Sequence, residues 1–314
     1  MLPEKQFEKR IAKLREILAS CTLCPRRCRV DRTRGQKGFC NLLDLAVMNS
    51  AMPHFGEEPP LSGTSGSGTI FLSSCNLRCR YCQNSQISHQ IRGTILDAAA
   101  LARVMLSLQE QGCHHIEPVT PTPHLPVVIE ALLIAHRGGL HLPLVYNCGG
   151  YENPEVIRLL DGIVDIYLPD FKYGNDICAA LFSGVRDYVG HALDSLREMV
   201  RQTGETLIPE DGIARGGTLI RHLVLPGQLE NSRDVLNLIK THLSTAVPLS
   251  IMSQYTPIPA MKDFPPLNRR ITAEEYEKVV DYALDLGFEH LFLQEVDDRN
   301  LAPDFDRDTP FHWQ

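Results

Sequence analysis

Strand-like and helix-like segments alternate along most of this chain, and this alternation constrains the fold more than any other feature. Short apolar runs favour strands at 69–73, 113–119, 142–147, 164–168, 219–225, 248–252 and 290–294. Apolar residues at helical spacing favour helices between them, at 97–111, 125–136, 154–160, 189–203, 231–243 and 272–287. Strands that are separated by single helices pair in parallel. The pattern therefore predicts an α/β fold with a parallel sheet, which is either doubly wound or closed into part of a barrel.

The first of these strands leads into a CxxxCxxC motif formed by Cys75, Cys79 and Cys82. Three thiolates can hold three irons of a four-iron cluster and leave the fourth iron open, whereas a ferredoxin cluster is closed by four cysteines. The C-terminal end of a strand is also where α/β barrels place their chemistry. We therefore predict that these cysteines are metal ligands at a catalytic cluster. A zinc knuckle is the alternative.

A second cysteine group precedes the sheet and consists of Cys21, Cys24, Cys28 and Cys40. It follows an amphipathic helix that is predicted over residues 4–19. Four thiolates in so short a segment predict a closed metal site, which suits either zinc or a second four-iron cluster. Zinc would make this group a structural clip, and a cluster would make it an electron relay.

Composition and charge exclude several classes of protein. The first residues are charged and no run of about 18 apolar residues occurs, so we expect neither a secretory signal nor a membrane span. Ten cysteines that occur in groups favour metal binding in a reducing cytoplasm over disulfides. The net charge of −7 makes nucleic acid an unlikely partner.

One local stretch, residues 26–37, is nevertheless rich in arginine and lysine. It is either a solvated face of the metal knuckle or a docking surface for an acidic electron donor or protein substrate. A third interpretation is an RNA contact, which strong salt dependence of binding would reveal.

Several motifs occur in the order in which they occur in the radical S-adenosylmethionine superfamily, so the chain resembles that family. Within it, the chain resembles the uncharacterised homologues of pyruvate formate-lyase activating enzyme that carry an extra N-terminal four-cysteine motif. They are Cys21-x2-Cys24-Pro-Arg-x-Cys28, Glu57-Glu58-Pro59-Pro60, the segment 75–84, Thr120-Pro-Thr122, Tyr146-Asn147, the segment 165–173, the segment 221–227 and Met252-Ser-Gln-Tyr255. The resemblance implies a partial (β/α)6 barrel over residues 61–296. It also implies a cysteine-rich metal-binding extension over 1–60 and a C-terminal tail over 297–314.

The resemblance also implies an activity. In the family, S-adenosylmethionine binds the open iron of a 4Fe-4S cluster, one electron from a donor such as flavodoxin or ferredoxin cleaves it, and the resulting 5′-deoxyadenosyl radical abstracts hydrogen from a substrate. A glycyl radical enzyme, another protein or a small metabolite could be that substrate. The alternative function is an iron–sulfur electron carrier or maturation protein without radical chemistry.

Individual residues inherit roles from the matching motifs. The side chains that the resemblance places at the S-adenosylmethionine site are Tyr81, Thr120, Thr122, Asn147, Asp170, Lys172, Arg221 and Tyr255. The chain departs from the activating enzymes at residues 119–124, where those enzymes have Gly-Gly-Glu, and at Thr256, where they have a histidine. His124 in the first of these segments is a candidate acid or base, and Gln254 is a candidate adenine or substrate contact.

Overall fold

The computed structural model describes residues 2–297, 302–307 and 309–311. Its strands are β1 (Ala46–His54), β2 (Ser67–Leu72), β3 (Thr94–Leu96), β4 (Ile116–Val119), β5 (Val145–Cys148), β6 (Ile166–Pro169), β7 (Ile208–Glu210), β8 (Ile213–Thr218), β9 (Ile220–Leu223), β10 (Leu249–Met252) and β11 (Leu291–Leu293). Its helices are α1 (Glu4–Ile17), α2 (Pro59–Ser62), α3 (Ser85–Ser88), α4 (Ala98–Glu110), α5 (Leu125–Arg137), α6 (Pro154–Arg158), α7 (Asp176–Ser183), α8 (Tyr188–Thr203), α9 (Leu229–His242) and α10 (Ala273–Leu286). The predicted tail over 297–314 lies partly outside the described residues.

The parallel strands follow one another in chain order. Strands β2, β4, β5 and β6 are parallel neighbours in one sheet, and β9, β10 and β11 are parallel neighbours in a second. A parallel backbone bridge between Asp170 and Arg221 joins the end of β6 to β9, so the two sheets form one curved series. The helix–strand alternation and the partial (β/α)6 barrel are thereby confirmed.

Local signals account for much of this agreement. Asp97 accepts a hydrogen bond from the amide of Ala100 at the start of α4. The capping box of Thr272 and Glu275 starts α10, and Gly287 ends that helix at φ +89°. These contacts lie within one or two turns of the residues that they order, which is why the sequence reveals them.

Two β-hairpin arrangements were not predicted. Strand β1 pairs antiparallel with both β2 and β3 at one edge, and β7 pairs antiparallel with β8 at the other. Strand β1 contains Pro53 and has no regular apolar alternation, and β8 contains Gly216 and Gly217, which weaken a strand signal. Tertiary pairing overrides the weak local preference at both edges.

The inner face of the curved sheet is buried, and it combines polar side chains with a small apolar cluster that includes Val145, Ile166 and Leu168. In β2, Ile70 and Leu72 belong to the main hydrophobic core, whereas Ser67 and Thr69 alternate with them and are fully buried on the opposite face. Glu117 of β4 is buried on this inner face and bonds to Ser67. The polar residues of β2 and β4 therefore offer buried hydrogen-bonding groups to a ligand on this face.

The N-terminal extension packs on the outside of the barrel. Helix α1 contacts α5 through an ion pair between Arg15 and Glu130, with 2.5 Å between Nη2 and Oε2. The following cysteine segment closes on itself, because the amide of Cys21 donates to the Val30 carbonyl at 2.9 Å. Within the ranges that the structure describes, every helix is too short or too polar to span a bilayer.

Candidate functional site

The loop after β2 carries the CxxxCxxC motif. Ser74 and Arg78 adopt left-handed backbone conformations, at φ +77° and +55°, which turn the chain sharply around the cysteines. The Leu77 amide donates to Cys75 Sγ at 3.3 Å. Hydroxyl groups donate hydrogen bonds to the other two sulfurs: Ser183 donates to Cys79 Sγ at 3.1 Å, and Ser88 donates to Cys82 Sγ at 3.3 Å.

These thiols fit an iron–sulfur cluster by their chemistry. Burial raises the pKa of Cys75 to about 12, with a further contribution from Cys79, and burial also raises the pKa of Cys82. Such thiols ionise at neutral pH only when a metal takes the place of the proton. The hydrogen bonds to sulfur would then stabilise the thiolates and tune the cluster. Cys75, Cys79 and Cys82 can therefore hold the cluster that their spacing predicts.

Asp170 and Lys172 extend from the end of β6 to this loop. Lys172 Nζ donates to Asp170 Oδ2, and the two side chains are 19% and 21% exposed. Burial opposes the charge on Lys172, but Asp170 and Cys79 together raise its pKa above the ordinary value. Gly149 makes this approach possible, because a Cβ there would lie 3.0 Å from Leu77 Cδ1 and 3.6 Å from Lys172 Cε. A firmly cationic side chain thus lies beside the cysteine loop.

Aromatic rings connect the cysteine loop to the end of β10. Tyr81 makes edge-to-face contact with Tyr255, with 6.2 Å between ring centroids, and with Phe182 at 5.9 Å. Next to Tyr255, the hydroxyl of Thr256 is buried and has no hydrogen-bond partner among the described residues. An orphaned hydroxyl here fits a polar ligand, because leaving such a group unpaired is costly.

A cavity opens on the other side of Tyr255. Its lining includes Ser253, Gln254, Arg270 and Gln294. Gln254 was a predicted adenine or substrate contact, and it lies in this cavity with its amide oxygen 3.4 Å from Gln294 Nε2. The ends of β10 and β11 therefore offer several polar groups to a ligand next to the cysteine loop.

Arg221 of β9 is held by two carboxylates of the chain itself. Its guanidinium donates to Glu57 and to both oxygens of Glu58, and His54 Nδ1 lies 2.8 Å from Glu57 Oε1. Burial opposes ionisation, but the charge of Arg221 and the hydrogen bond from His54 hold the pKa of Glu57 well below its usual range. The resemblance assigns Arg221 to the cofactor carboxylate, and in the structure two protein carboxylates hold that guanidinium.

Asn147 and Thr120 lie near this ionic group on the inner face. Asn147 Nδ2 donates to Glu117 Oε1 at 2.8 Å, and the Thr120 amide donates to the Asn147 carbonyl at 2.9 Å. Burial and the charge of Glu57 raise the pKa of Glu117 above its usual range. Thr120 has φ +56°, a conformation that strains a β-branched residue. The strained backbone occurs where the activating enzymes have Gly-Gly-Glu.

Thr122 and His124 lie in a different environment from Asp170 and Lys172. The Thr122 hydroxyl contacts both oxygens of Glu152, at 2.9 and 2.8 Å, and Thr122 also lines the cavity of the N-terminal cysteines. His124 Nε2 lies 2.7 Å from the Ser73 carbonyl, and burial lowers the pKa of His124 to about 4. Buried and neutral, His124 supports the backbone before the cysteine loop.

The N-terminal cysteines Cys21, Cys24, Cys28 and Cys40 line a common cavity. The Phe39 amide donates to Cys28 Sγ at 3.3 Å. The backbone amides of Arg26 and Leu42 donate hydrogen bonds to the sulfurs of Cys24 and Cys40, respectively. Burial raises the pKa of both Cys24 and Cys40. At Cys40, the charge of Arg32 partly opposes this rise. Four thiols with amide donors fit a metal centre by their chemistry.

Sequence reasoning gave no role to several groups near the site. They are the carboxylates of Glu57 and Glu58, which were noted only as part of a motif, the buried carboxylates of Glu117 and Glu152, and the hydroxyls of Ser88 and Ser183 that donate to the cysteine sulfurs. An acidic residue inside an otherwise apolar strand, as at Glu117, is the one local signal that could have been used. The two serines carry no signal, because they meet the cysteines only in the folded chain.

Comparison with known proteins agrees with this geometry. Residues 69–239, more than half of the chain, match the family model for the Radical SAM superfamily. The uncharacterised protein MJ0674 of Methanocaldococcus jannaschii is 30% identical over 288 residues, which cover 88% of this chain and 78% of that protein. MJ0808 of the same organism is 23% identical over 304 residues, covering 90% of this chain and 83% of that protein.

Among solved structures, Streptococcus suis SuiB bound to its precursor peptide SuiA matches with a TM-score of 0.49 and 9% identity. The match covers 71% of this chain and 47% of SuiB, so it spans about half the length of that protein. The family to which the sequence match points takes a 4Fe-4S cluster and S-adenosylmethionine as its cofactors. Because the family model matches more than half of its length, the chain belongs to the Radical SAM superfamily, whose enzymes perform oxidoreductase-type chemistry.

Proposed function

We propose that Cys75, Cys79 and Cys82 hold a 4Fe-4S cluster at which S-adenosylmethionine is reductively cleaved. When bound, the cluster would supply one electron to the sulfonium, so that the S–C5′ bond breaks to methionine and a 5′-deoxyadenosyl radical, which would take a hydrogen atom from the substrate and leave as 5′-deoxyadenosine. Lys172 would pair with the methionine carboxylate, and Asp170 would accept from ribose hydroxyls. Tyr81, Tyr255 and Thr256 would contact the nucleoside side of the ligand.

The observation that carries this proposal is the position of Lys172 beside Cys79. The two residues are 93 positions apart in sequence, yet the charge of Cys79 raises the pKa of Lys172, and Gly149 packs against both Leu77 and Lys172. A buried lysine that keeps its charge next to three metal-ligating thiols suits an anionic ligand of the open iron. A surface ion pair at a strand end would lack this setting.

The proposed substrate is a protein, with a glycyl radical enzyme as the first candidate. This choice rests on the motifs shared with the activating enzymes. The proposed electron donor is flavodoxin or ferredoxin, and the proposed compartment is the cytoplasm, where the grouped thiols stay reduced. Mixing the reduced enzyme and S-adenosylmethionine with a glycyl radical enzyme should produce a glycyl radical signal by electron paramagnetic resonance; 5′-deoxyadenosine without that signal would reject this substrate.

The cleavage reaction is tested with reconstituted protein under anaerobic conditions. Wild type should form 5′-deoxyadenosine, and Cys79→Ala should form none because one cluster ligand is lost. Lys172→Met should keep the cluster absorption but bind S-adenosylmethionine at least about tenfold more weakly, since losing a charged contact costs about 1.5–3 kcal/mol. Arg103→Met, an exposed change on α4, is the matched control. Undiminished cleavage by Cys79→Ala would refute the assignment of this cluster.

An electron carrier or maturation protein without radical chemistry is the second candidate. The observation in its favour is that Arg221 is already paired with Glu57 and Glu58 rather than held open for a ligand carboxylate. In this case S-adenosylmethionine would leave the electron paramagnetic resonance spectrum of the reduced cluster unchanged. A changed spectrum would reject this candidate.

A further inference from the structure

The four N-terminal thiols lie around one cavity. Cys21, Cys24, Cys28 and Cys40 all line it. A tetrahedral zinc site needs four sulfurs at about 2.3 Å from one centre. A four-iron cluster instead takes each thiolate on a different iron and needs space between the sulfurs. Four thiolates suit either ligand, and the buried cation described next favours the cluster, which offers sulfide as well as thiolate acceptors.

Arg32 supplies an independent sign of a ligand in this cavity. Its side chain is 2% exposed and lines the cavity with the cysteines. Nε donates to the Leu43 carbonyl at 2.9 Å and Nη2 to the Pro123 carbonyl at 2.9 Å. Nη1 is buried and has no hydrogen-bond partner within the described residues. A buried cationic donor without an acceptor is costly, and the sulfides and thiolates of a cluster are acceptors that would satisfy it.

The cavity adjoins the CxxxCxxC loop directly. Ser74, next to Cys75, donates from Oγ to the Cys40 carbonyl at 2.6 Å. Arg26 Nε donates to the Asn76 carbonyl at 2.9 Å, and the Arg26 guanidinium stacks on Phe39 at 3.6 Å from the ring centroid. Arg78 of the CxxxCxxC loop also lies over Phe39, at 4.7 Å. Two cations therefore occupy the junction of two cysteine groups, where they would offset the negative charge of thiolate-bound clusters.

The solvent side of this segment is basic. Arg27, Arg29, Arg34 and Lys37 are exposed around the half-buried Cys28, although the whole chain has a net charge of −7. A basic surface of this kind attracts an acidic partner and raises its association rate. An acidic one-electron donor protein is the partner whose charge matches this surface.

We propose that Cys21, Cys24, Cys28 and Cys40 hold a second iron–sulfur cluster, hydrogen-bonded by Arg32, that relays one electron from an acidic donor protein to the CxxxCxxC site. The donor loses one electron and the site ligated by Cys75, Cys79 and Cys82 gains it, with no bond formed or broken. The destination of the electron rests on the proposed function, whereas the second cluster itself does not.

The experiment uses the full chain with Cys75, Cys79 and Cys82 all replaced by alanine, so that only the N-terminal group can bind metal. After anaerobic reconstitution in the presence of iron, sulfide and zinc, we expect iron and acid-labile sulfide in equal amounts and a visible absorption that bleaches on reduction. Zinc with no iron would overturn the proposal. If the variant does not fold, the wild type decides: iron for two clusters supports the proposal, and iron for one cluster plus zinc overturns it.

The relay is tested on the same triple variant with reduced flavodoxin. We expect each chain to oxidise one flavodoxin by one electron, and no oxidation would overturn the relay. Arg32→Gln should shift the midpoint potential of the remaining cluster to a more negative value, because a hydrogen bond to sulfur favours the reduced, more negative state. Arg103→Gln is the matched control and should leave the potential unchanged; an equal potential in both variants would overturn the role of Arg32. None of these readings depends on cleavage of S-adenosylmethionine, so they fail or succeed independently of the proposed function.

Discussion

Replacing Arg221 by methionine measures how much its buried ion pairs with Glu57 and Glu58 contribute to the stability of the protein. Arg221 is 10% exposed, and Glu57 and Glu58 are each 7% exposed. Removing the guanidinium leaves two carboxylates buried without their cation, and breaking a buried pair in this way costs about 3–5 kcal/mol. Arg221→Met should therefore lower the free energy of unfolding by about 4 kcal/mol. Combining it with Glu57→Gln and Glu58→Gln should recover most of that loss, because no buried charge is then uncompensated.

The loss should depend on pH in a defined direction. In wild type the pKa of Glu57 is held low, so its contribution to stability is present above the ordinary carboxyl pKa and is lost only in strong acid. Without Arg221, only the contact with His54 still opposes burial, which is the largest contribution, so the folded-state pKa of Glu57 should rise above the unfolded value. A carboxyl shifted in that direction lowers stability only above its unfolded pKa. The loss of unfolding free energy in Arg221→Met, relative to wild type, should thus be largest near pH 8 and smaller near pH 5.

Urea unfolding of the anaerobically reconstituted proteins, followed by circular dichroism at both pH values, measures these differences. Arg215→Met is the control: Arg215 pairs with Glu210 at the surface, with 38% and 70% of the side chains exposed, so its loss should be below about 1 kcal/mol. An Arg221→Met variant within about 1 kcal/mol of wild type, or with the same deficit at both pH values, would refute the reasoning. The triple variant also reports whether Arg221 binds S-adenosylmethionine, because its fold no longer requires the guanidinium.

Two further substitutions test the surroundings of the site. Gly150→Ala should lower stability by at least about 2 kcal/mol more than the control Gly139→Ala. Both glycines have positive φ, but a Cβ on Gly150 would lie 2.1 Å from the Asp170 carbonyl oxygen, whereas a Cβ on Gly139 meets nothing within 4 Å. Equal thermal unfolding of the two variants would contradict this. Glu152→Gln should become more stable than wild type as the pH rises from 5 to 8, by up to about 4 kcal/mol. Burial raises the folded-state pKa of Glu152 from 4.5 to about 8, so in this range the wild-type carboxyl ionises in the unfolded chain but not in the folded one, which favours unfolding. A stability difference that stays constant with pH would mean that Glu152 is not buried as a neutral acid.

Part of the candidate site was accessible from the sequence because its members lie close together in the chain. The spacing of Cys75, Cys79 and Cys82 predicts a cluster, and the preceding strand predicts its place at the end of β2. Asp170 and Lys172 were assigned by their motif after the fourth strand. The carboxylates that hold Arg221 were not assigned, since Glu57 and Glu58 lie 164 and 163 residues away in sequence.

The sequence by itself determined the order of the parallel strands, the start and end of α10 and the existence of two cysteine groups. These depend on periodicity and on contacts within a few residues, so they are encoded locally. Only the tertiary structure decided that Arg26 and Ser74 join the two cysteine groups, that Ser183 of the unpredicted α7 serves Cys79, and that Arg221 meets Glu57. Those contacts depend on which strand ends and loops the curvature of the sheet brings to one place, and no local pattern in the chain records that.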